Sequence, residues 1–231
     1  SFQSLVRMAS KNWEHATGCP TAPHQVKLHE DSGAFADVAR ILNGSSATSD
    51  PVEMRVTSVS RIENFDLLAR YIAKVGDMPS SKVVLEPNTL IVRNTPLLAK
   101  KKNEAYLLQA VPSSEVNAIA TFGFKKSYGS EGVPFSADPI DCDEHLLSKY
   151  HNSHTLSEMH EIVLIVSRVV LGDVHPAGHA GFSGKQPPPG YHSISMTETH
   201  RCDELVIFDE AQAYPEFVVT YDWDQMEEYM Y

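Results

Sequence analysis

The stretch DELVIFDEAQAYPEFVVTY, residues Asp203–Tyr221, predicts the fold of this chain more strongly than any other part of the sequence. Its two apolar runs, Leu205–Phe208 and Phe217–Tyr221, are rich in Val, Ile, Phe and Tyr, which favour strands. The linker Asp209–Pro215 is turn-like, and its proline suits the start or the edge of a strand. We therefore predict a strand pair, with an acidic pair of residues at the mouth of the first strand.

Composition indicates a folded, acidic protein. The chain has 231 residues, of which 42% are hydrophobic and 21% are charged, as is usual for a globular domain. The 19 Lys and Arg residues face 30 Asp and Glu residues, so the net charge is −11. An acidic chain has no broad electrostatic reason to bind nucleic acid, and we expect no direct nucleic-acid binding by this domain. The basic run Lys100–Lys102 is more typical of a solvated turn, although a local basic patch stays open.

Cysteine usage and apolar runs bear on the cellular compartment. Cys19, Cys142 and Cys202 are scattered and form no C-x-x-C pair, which does not indicate a disulfide framework. No apolar run is long enough to predict a membrane span, and no signal peptide is recognised. We expect a nuclear or cytoplasmic protein without a membrane partner. Because the sequence opens at Ser1 without Met, we interpret it as a monomeric domain of a longer protein.

Periodicity predicts mostly helices in the first half of the chain and mostly strands in the second, which is typical of the α+β class. The linker candidate Gly44–Pro51 separates an N-terminal extension, residues 1–50 with one helix, from a main domain at residues 51–231. The predicted helices lie at Phe35–Leu42, Glu63–Val75, Glu115–Thr121 and Asp138–Tyr150, and the strongest predicted strands at Val52–Ile62, Ala105–Val111 and Glu161–Leu171.

Several short motifs occur in one order along the chain, from about Val56 to Tyr221. Together they resemble the catalytic domain of the poly(ADP-ribose) polymerases, the diphtheria-toxin-like branch of the ADP-ribosyltransferases. This resemblance implies an α+β fold with split antiparallel β-sheets and flanking helices. The motifs are SRIEN at Ser60–Asn64, the strand–loop–helix Ala105–Phe124, the glycine segment YGSEGVPFS at Tyr128–Ser136, the strand IVLIVSRVVLG at Ile162–Gly172, and EAQAYPEFVVTY at the end.

The family's chemistry is carried by a His, a Tyr and a Glu, and this chain departs from two of the three. The resemblance places Gln109 at the His position, Ala110 at the following Gly position and Pro134 at the Tyr position. Glu204 occupies the position of the Glu. Glutamine keeps a donor and an acceptor, but proline removes both a flat ring and a backbone donor.

The resemblance implies that NAD+ is the substrate and that its nicotinamide–ribose bond is cleaved. The transition state of that cleavage is oxocarbenium-like, so a nearby carboxylate stabilises its positive charge, and Glu204 is the predicted catalytic residue. The remaining predicted NAD+ contacts are Phe135, Ser148 as a partner for the carboxamide, and Tyr150 as an aromatic that stacks on nicotinamide.

Three functions stay open at this point. One is transfer of a single ADP-ribose to a protein or nucleic-acid acceptor, which Glu204 favours. Another is a catalytically inactive scaffold that binds protein partners with weak or no NAD+ affinity, which Gln109 and Pro134 favour. The last is a reader of ADP-ribose or another nucleotide. No metal is expected, because the pairs His151/His154 and His175/His179 lie in predicted loops without matching cysteines.

Overall fold

A computed structural model describes Trp13 and residues 23–43, 54–85, 98–126, 132–150, 161–177, 182, 184–197 and 203–223. Within these ranges the side chains at positions 144, 145, 147–150, 197, 203 and 223 are not described. Among the described helices, none is long and apolar enough to cross a membrane.

The described elements belong to the α+β class. The helices are α1 (Gly33–Asn43), α2 (Phe65–Asp77), α3 (Val116–Phe122) and α4 (Pro139–Tyr150). The strands are β1 (His24–Lys27), β2 (Met54–Glu63), β3 (Glu104–Pro112), β4 (Val133–Phe135), β5 (Ile162–Val170), β6 (Val174–Pro176), β7 (Ser193–Thr197), β8 (Asp203–Ile207) and β9 (Ala213–Trp223).

The predicted helices are confirmed within a few residues at each end, because their caps are local. The Ser32 hydroxyl accepts a hydrogen bond from the Phe35 amide at 3.2 Å and begins α1. The Asn64 side chain accepts from the Leu67 amide at 3.1 Å and begins α2. Both helices then bury one apolar face, as their spacing predicts.

Five strands form an antiparallel sheet in the order β1-β2-β9-β5-β3. The other four form a second sheet in the order β4-β8-β7-β6, which is mixed because β6 pairs with β7 in parallel. The two sheets meet where the edge strand β3 reaches β4. There the backbones of Leu108 and Ser136 exchange hydrogen bonds of 2.7 and 3.0 Å.

The five-stranded sheet is covered on both faces, since neighbouring residues on β3 and β5 belong to different apolar clusters. Leu107 and Ile165 point into a cluster shared with the second sheet and α3. Leu108 and Leu164 point the other way, into a cluster shared with α1 and α4. This two-sided burial explains why β5 is an almost unbroken apolar run.

The two apolar runs of Asp203–Tyr221 are strands, but the prediction that they form a pair is wrong. β8 pairs with β4 and β7 in the second sheet, whereas β9 pairs with β2 and β5 in the first. β9 also begins at Ala213, so Pro215 lies inside a central strand. A register shift between Val166 and Ser167 accommodates it, because at such an irregularity a proline removes no regular ladder bond.

The described part of residues 1–50 adds to the first sheet. β1 pairs with β2 from His24↔Glu63 to Lys27↔Ser60, although its sequence has little periodicity. Trp13 is buried and stacks on Tyr214 of β9 with ring centroids 6.5 Å apart. The segments 44–53, 86–97, 127–131, 151–160 and 224–231 lie outside the described residues, as do residues 178–181, which include His179, and residue 183.

Candidate functional site

Gln109 lies at the junction of the two sheets. It is on β3 opposite Ile165, and strand alternation places it on the same face as Leu107 and Val111, toward the second sheet. Its Nε2 atom donates a hydrogen bond of 3.0 Å to the backbone oxygen of Pro134. The polar end of Gln109 therefore joins β3 to β4.

Pro134 and Glu204 lie on one face of the second sheet. Pro134 is opposite Val206 on β8, and Glu204 is two residues before Val206 on the same strand. Since side chains alternate along a strand, all three project to the same side. Glu204 is partly buried and lies opposite Met196 of β7. The structure thus brings the Tyr and Glu positions of the resemblance onto a common face, where proline offers no planar ring.

The close packing of β4 on β8 explains why a glycine, Gly132, lies two residues before Pro134 in the glycine segment. A Cβ atom at this position would lie 2.4 Å from Val206 Cγ1 and 2.6 Å from the Ile207 backbone oxygen. Backbone atoms cannot move away as a flexible side chain can, so only glycine lets β4 approach β8 this closely. The glycine therefore positions Pro134 through packing.

Two other predicted NAD+ contacts are buried side chains. Phe135 is 2% exposed and packs edge-on against Phe124, with ring centroids 5.1 Å apart. Ala110 is 6% exposed and points into the cluster that contains Leu108 and α4. Ala110 remains at the junction through its backbone, because the neighbouring Leu108 is bonded to Ser136.

Helix α4 carries the last two predicted contacts. The backbones of Ser148 and Tyr150 lie in its final turns, but both side chains are outside the described residues, so their roles stay predictions. At the other end, Asp138 is fully buried and its carboxylate accepts a bond of 2.8 Å from the Ile140 amide. This contact fixes the start of the helix beside Ser136 and thus beside the sheet junction.

Cys142 on α4 is unsuited to nucleophilic chemistry. Burial raises the pKa of its thiol well above the usual range, and the carboxylates of Asp143 and Asp138 raise it further. A thiol that stays protonated at neutral pH is a poor nucleophile. The side chain instead packs with Leu146 in the apolar cluster under the first sheet.

A polar network on the first sheet escaped the sequence analysis. Arg168 of β5 binds Glu216 of β9 through two hydrogen bonds of 2.5 and 2.7 Å, and Tyr106 of β3 donates to the same carboxylate at 2.9 Å. These residues are far apart in sequence and follow no motif. Their only sequence signal is that polar residues interrupt apolar strands.

The comparisons with known proteins leave the family open. No protein-family model matches this sequence, and no curated protein matches it either. Any functional assignment therefore depends on the motifs and on the geometry of the sheet junction.

In chemical terms, the junction contains one partly buried carboxylate and one amide that is already bonded inside the protein. Among the described residues, no group of three or more His, Cys, Asp or Glu side chains is placed to hold a metal ion. Of the predicted NAD+ contacts whose side chains the structure describes, Pro134 has no planar ring and Phe135 is buried.

Proposed function

We propose that this chain is an ADP-ribosyltransferase-like domain that does not catalyse transfer and acts as a protein-interaction scaffold. The hydrogen bond from Gln109 to the Pro134 backbone oxygen carries this proposal. In the family that the motifs resemble, the side chain at this position donates to the ribose of NAD+. Here the corresponding donor is used to join two strands, and releasing it costs about 1 kcal/mol.

The substitution of Pro134 for tyrosine supports the same conclusion. Stacking on nicotinamide requires a flat ring, and its loss weakens binding by about 1 kcal/mol by analogy with aromatic pairs. Looser orientation of the ligand would lower the rate further, because reacting groups must be held in a narrow range of geometries. Glu204 supplies a carboxylate for charge stabilisation, but neither Gln109 nor Pro134 among its described neighbours in the motif offers the contact that the family uses to position NAD+.

Two measurements on the purified chain test the proposal. We expect no thermal shift with NAD+ at millimolar concentration, and no incorporation of label from NAD+ above the level of a Glu204→Gln control. Incorporation that is present in the native protein and lost in Glu204→Gln would show that the domain is a transferase. For this comparison to hold, the melting temperature of the Glu204→Gln variant must equal that of the native protein.

A gain-of-binding variant tests the transferase-like assignment itself. Gln109→His together with Pro134→Tyr replaces both departures from the family pattern and frees the Pro134 backbone oxygen from the glutamine. We expect this double variant to show a thermal shift with NAD+ that the native protein lacks. A folded double variant without any shift would contradict the assignment of this junction as a former NAD+ site.

A further inference from the structure

Phe122 is the most exposed aromatic side chain among the described residues, with 57% of its surface accessible. It is the last residue of α3 and is followed by Gly123, which has a positive φ of 81°. One exposed apolar residue is ordinary on a protein surface. The surroundings of Phe122 make it informative.

The backbone carbonyls at the end of α3, next to and including that of Phe122, accept hydrogen bonds from side chains of α2 and its N-cap. Asn64 donates from Nδ2 to the backbone oxygens of Ala120 at 2.8 Å and of Thr121 at 3.1 Å. Arg70 donates to the backbone oxygen of Phe122 at 3.4 Å. The final carbonyls of α3 are thus bonded to α2 and its cap, so the backbone that carries the ring is held in place. A preorganised anchor loses little conformational entropy when a partner binds.

One positive side chain contacts this ring, and two others lie on the neighbouring helix α2. Lys125 Nζ lies 5.0 Å from the centroid of the Phe122 ring, within the range of a cation–π contact. Arg70 lies on α2, and Lys74 is one turn further along the same face. Arg70 uses one donor on Phe122 and a guanidinium has five, so it retains capacity for an anionic ligand.

The exposed carboxylate of Asp209 lies at the end of this positive region that is formed by Lys74. Lys74 contacts its carboxylate at 2.7 Å. Burial raises the pKa of Asp209, but the bond from Lys74, the Ala211 amide and the charge of Lys126 together bring that pKa below its usual value. Lys126 therefore lies close enough to act on the same carboxylate. Glu210 is also exposed next to Asp209, so negative charge limits the region on this side.

We propose that the basic–aromatic surface, formed by Arg70, Lys74, Phe122, Lys125 and Lys126, binds a short acidic protein segment that carries an apolar side chain. Carboxylates would meet the cations, and the apolar side chain would pack on the exposed ring. Phenylalanine and arginine are among the residue types enriched at the cores of protein interfaces. This inference deepens the proposed scaffold function and rests on it.

The charge of the whole chain favours a short protein segment over a nucleic acid. The net charge is −11, so the positive region is an exception on an acidic molecule. A polyphosphate chain that extended past the region toward Asp209 and Glu210 would meet like charge, and at physiological salt charges act over about 8 Å. A peptide segment can end where the positive surface ends.

Fluorescence anisotropy with a labelled peptide of glutamates around one central tryptophan tests the proposal on the 231-residue chain. We expect saturable binding that weakens with salt and is lost when lysines replace the glutamates. Lys125→Glu with Lys126→Glu should weaken binding by about tenfold or more, because both charges are reversed at the contact. Phe122→Ala should weaken it about fivefold through loss of the ring. The matched control reverses two exposed lysines of other elements, Lys27→Glu with Lys185→Glu, and should change affinity by about twofold or less.

Several results would overturn the proposal. The first is that the peptide does not bind. The second is that the two double variants lose affinity for the peptide equally. The third is that an oligothymidine of similar length binds more tightly than the acidic peptide. NMR amide shifts should concentrate in α2 and around Phe122, and shifts elsewhere would also overturn it. The NAD+ measurements are independent of these outcomes. Transferase activity would refute the proposed function and leave peptide binding unexplained by it, whereas absent peptide binding would refute only this surface.

Discussion

The amide of Gln109 has a donor end and an acceptor end, and the fold uses the donor to join β3 to β4. At the scale of single residues, this contact is the observation on which the proposed scaffold function rests. The residue type alone indicates a donor and an acceptor, but not the partner that each one bonds. The acceptor is a backbone oxygen, and every residue type has one, so no sequence motif distinguishes the structural bond.

The contact of Arg168 with Glu216 yields a prediction at the same scale. We expect Arg168→Met to lower the free energy of unfolding by about 2–4 kcal/mol, because it leaves the Glu216 carboxylate, 10% exposed, without its cation. This expected loss is near the lower end of the range for breaking a buried ion pair, because the Arg168 side chain is 30% exposed. Urea unfolding monitored by circular dichroism measures the change.

Two variants control this measurement. Arg55→Met removes a cross-strand pair on the same sheet whose partners are 65% and 53% exposed, and it should cost about 0.5 kcal/mol or less. Arg168→Met combined with Glu216→Leu should recover much of the loss, because no unpaired charge remains. Equal losses for Arg168→Met and Arg55→Met would show that the Glu216 pair contributes no more than a surface pair.

At the scale of elements, local signals and long-range pairing contribute in different ways. The helices α1 and α2 were predicted closely, because caps and apolar spacing act within a few residues of each other. β1 was missed, since its position depends on β2, more than thirty residues later in the sequence. Pro215 indicated a strand edge, but the register shift opposite it allows a place in the central strand β9. That shift belongs to the pairing of β5 with β9, so neither strand's sequence shows it alone.

Asn64 connects two helices and gives a prediction at this scale. Its oxygen caps α2 through the Leu67 amide, and its nitrogen donates to two carbonyls at the end of α3. Asn64→Ala should lower the free energy of unfolding by about 2–3 kcal/mol, from a lost cap and two lost buried bonds. Asn64→Asp keeps the cap but cannot donate, so it should leave the start of α2 protected and expose the end of α3.

Amide hydrogen exchange separates the two roles of Asn64. In Asn64→Asp we expect native protection at Leu67 and faster exchange at Gly123, whose amide donates to Ile119 at the end of α3. In Asn64→Ala both sites should exchange faster. If Asn64→Asp were as stable as the native protein at neutral pH, the two bonds to α3 would contribute nothing.

At the scale of the whole molecule, tyrosines that are buried (Tyr71, Tyr214) or partly buried (Tyr106, Tyr221) connect helices and strands that are far apart in the chain. Tyr71 bonds Glu104, Tyr214 bonds the Ile62 backbone oxygen, and Tyr221 bonds Asp143. Burial raises the pKa of each of these phenols, and that of Tyr106, above the ordinary value, and nearby carboxylates raise it further. All four therefore stay protonated in the native state when unfolded tyrosines ionise.

This linkage predicts alkaline unfolding. The stability that these tyrosines contribute is complete below about pH 10, the pKa of an unfolded tyrosine, and is lost as the pH rises toward the native pKa values. Each buried phenol should lower the free energy of unfolding by about 1.4 kcal/mol per pH unit in that range. We expect tyrosinate absorbance from these residues to appear together with loss of the circular dichroism signal.

A phenylalanine variant tests the linkage. Tyr106→Phe should reduce the pH dependence of unfolding by about one proton above pH 10, after correction for its lower stability at neutral pH. The chain has nine tyrosines. If the tyrosinate absorbance of all nine appeared while the circular dichroism signal was still native, these four would ionise in the folded state. That result would contradict the burial that ties these residues to the fold.

The acidic pair and the two apolar runs of Asp203–Tyr221 show what the sequence determined by itself. It determined the element types, most helix limits, the α+β class and the presence of Glu204 at a strand start, because these depend on caps, turn residues and periodicity within a short stretch. Only the tertiary structure decided that the runs belong to different sheets, that β3 meets β4, and that Gln109 is bonded to Pro134. Those contacts join residues far apart in the chain, and their free energy depends on packing that no local stretch contains.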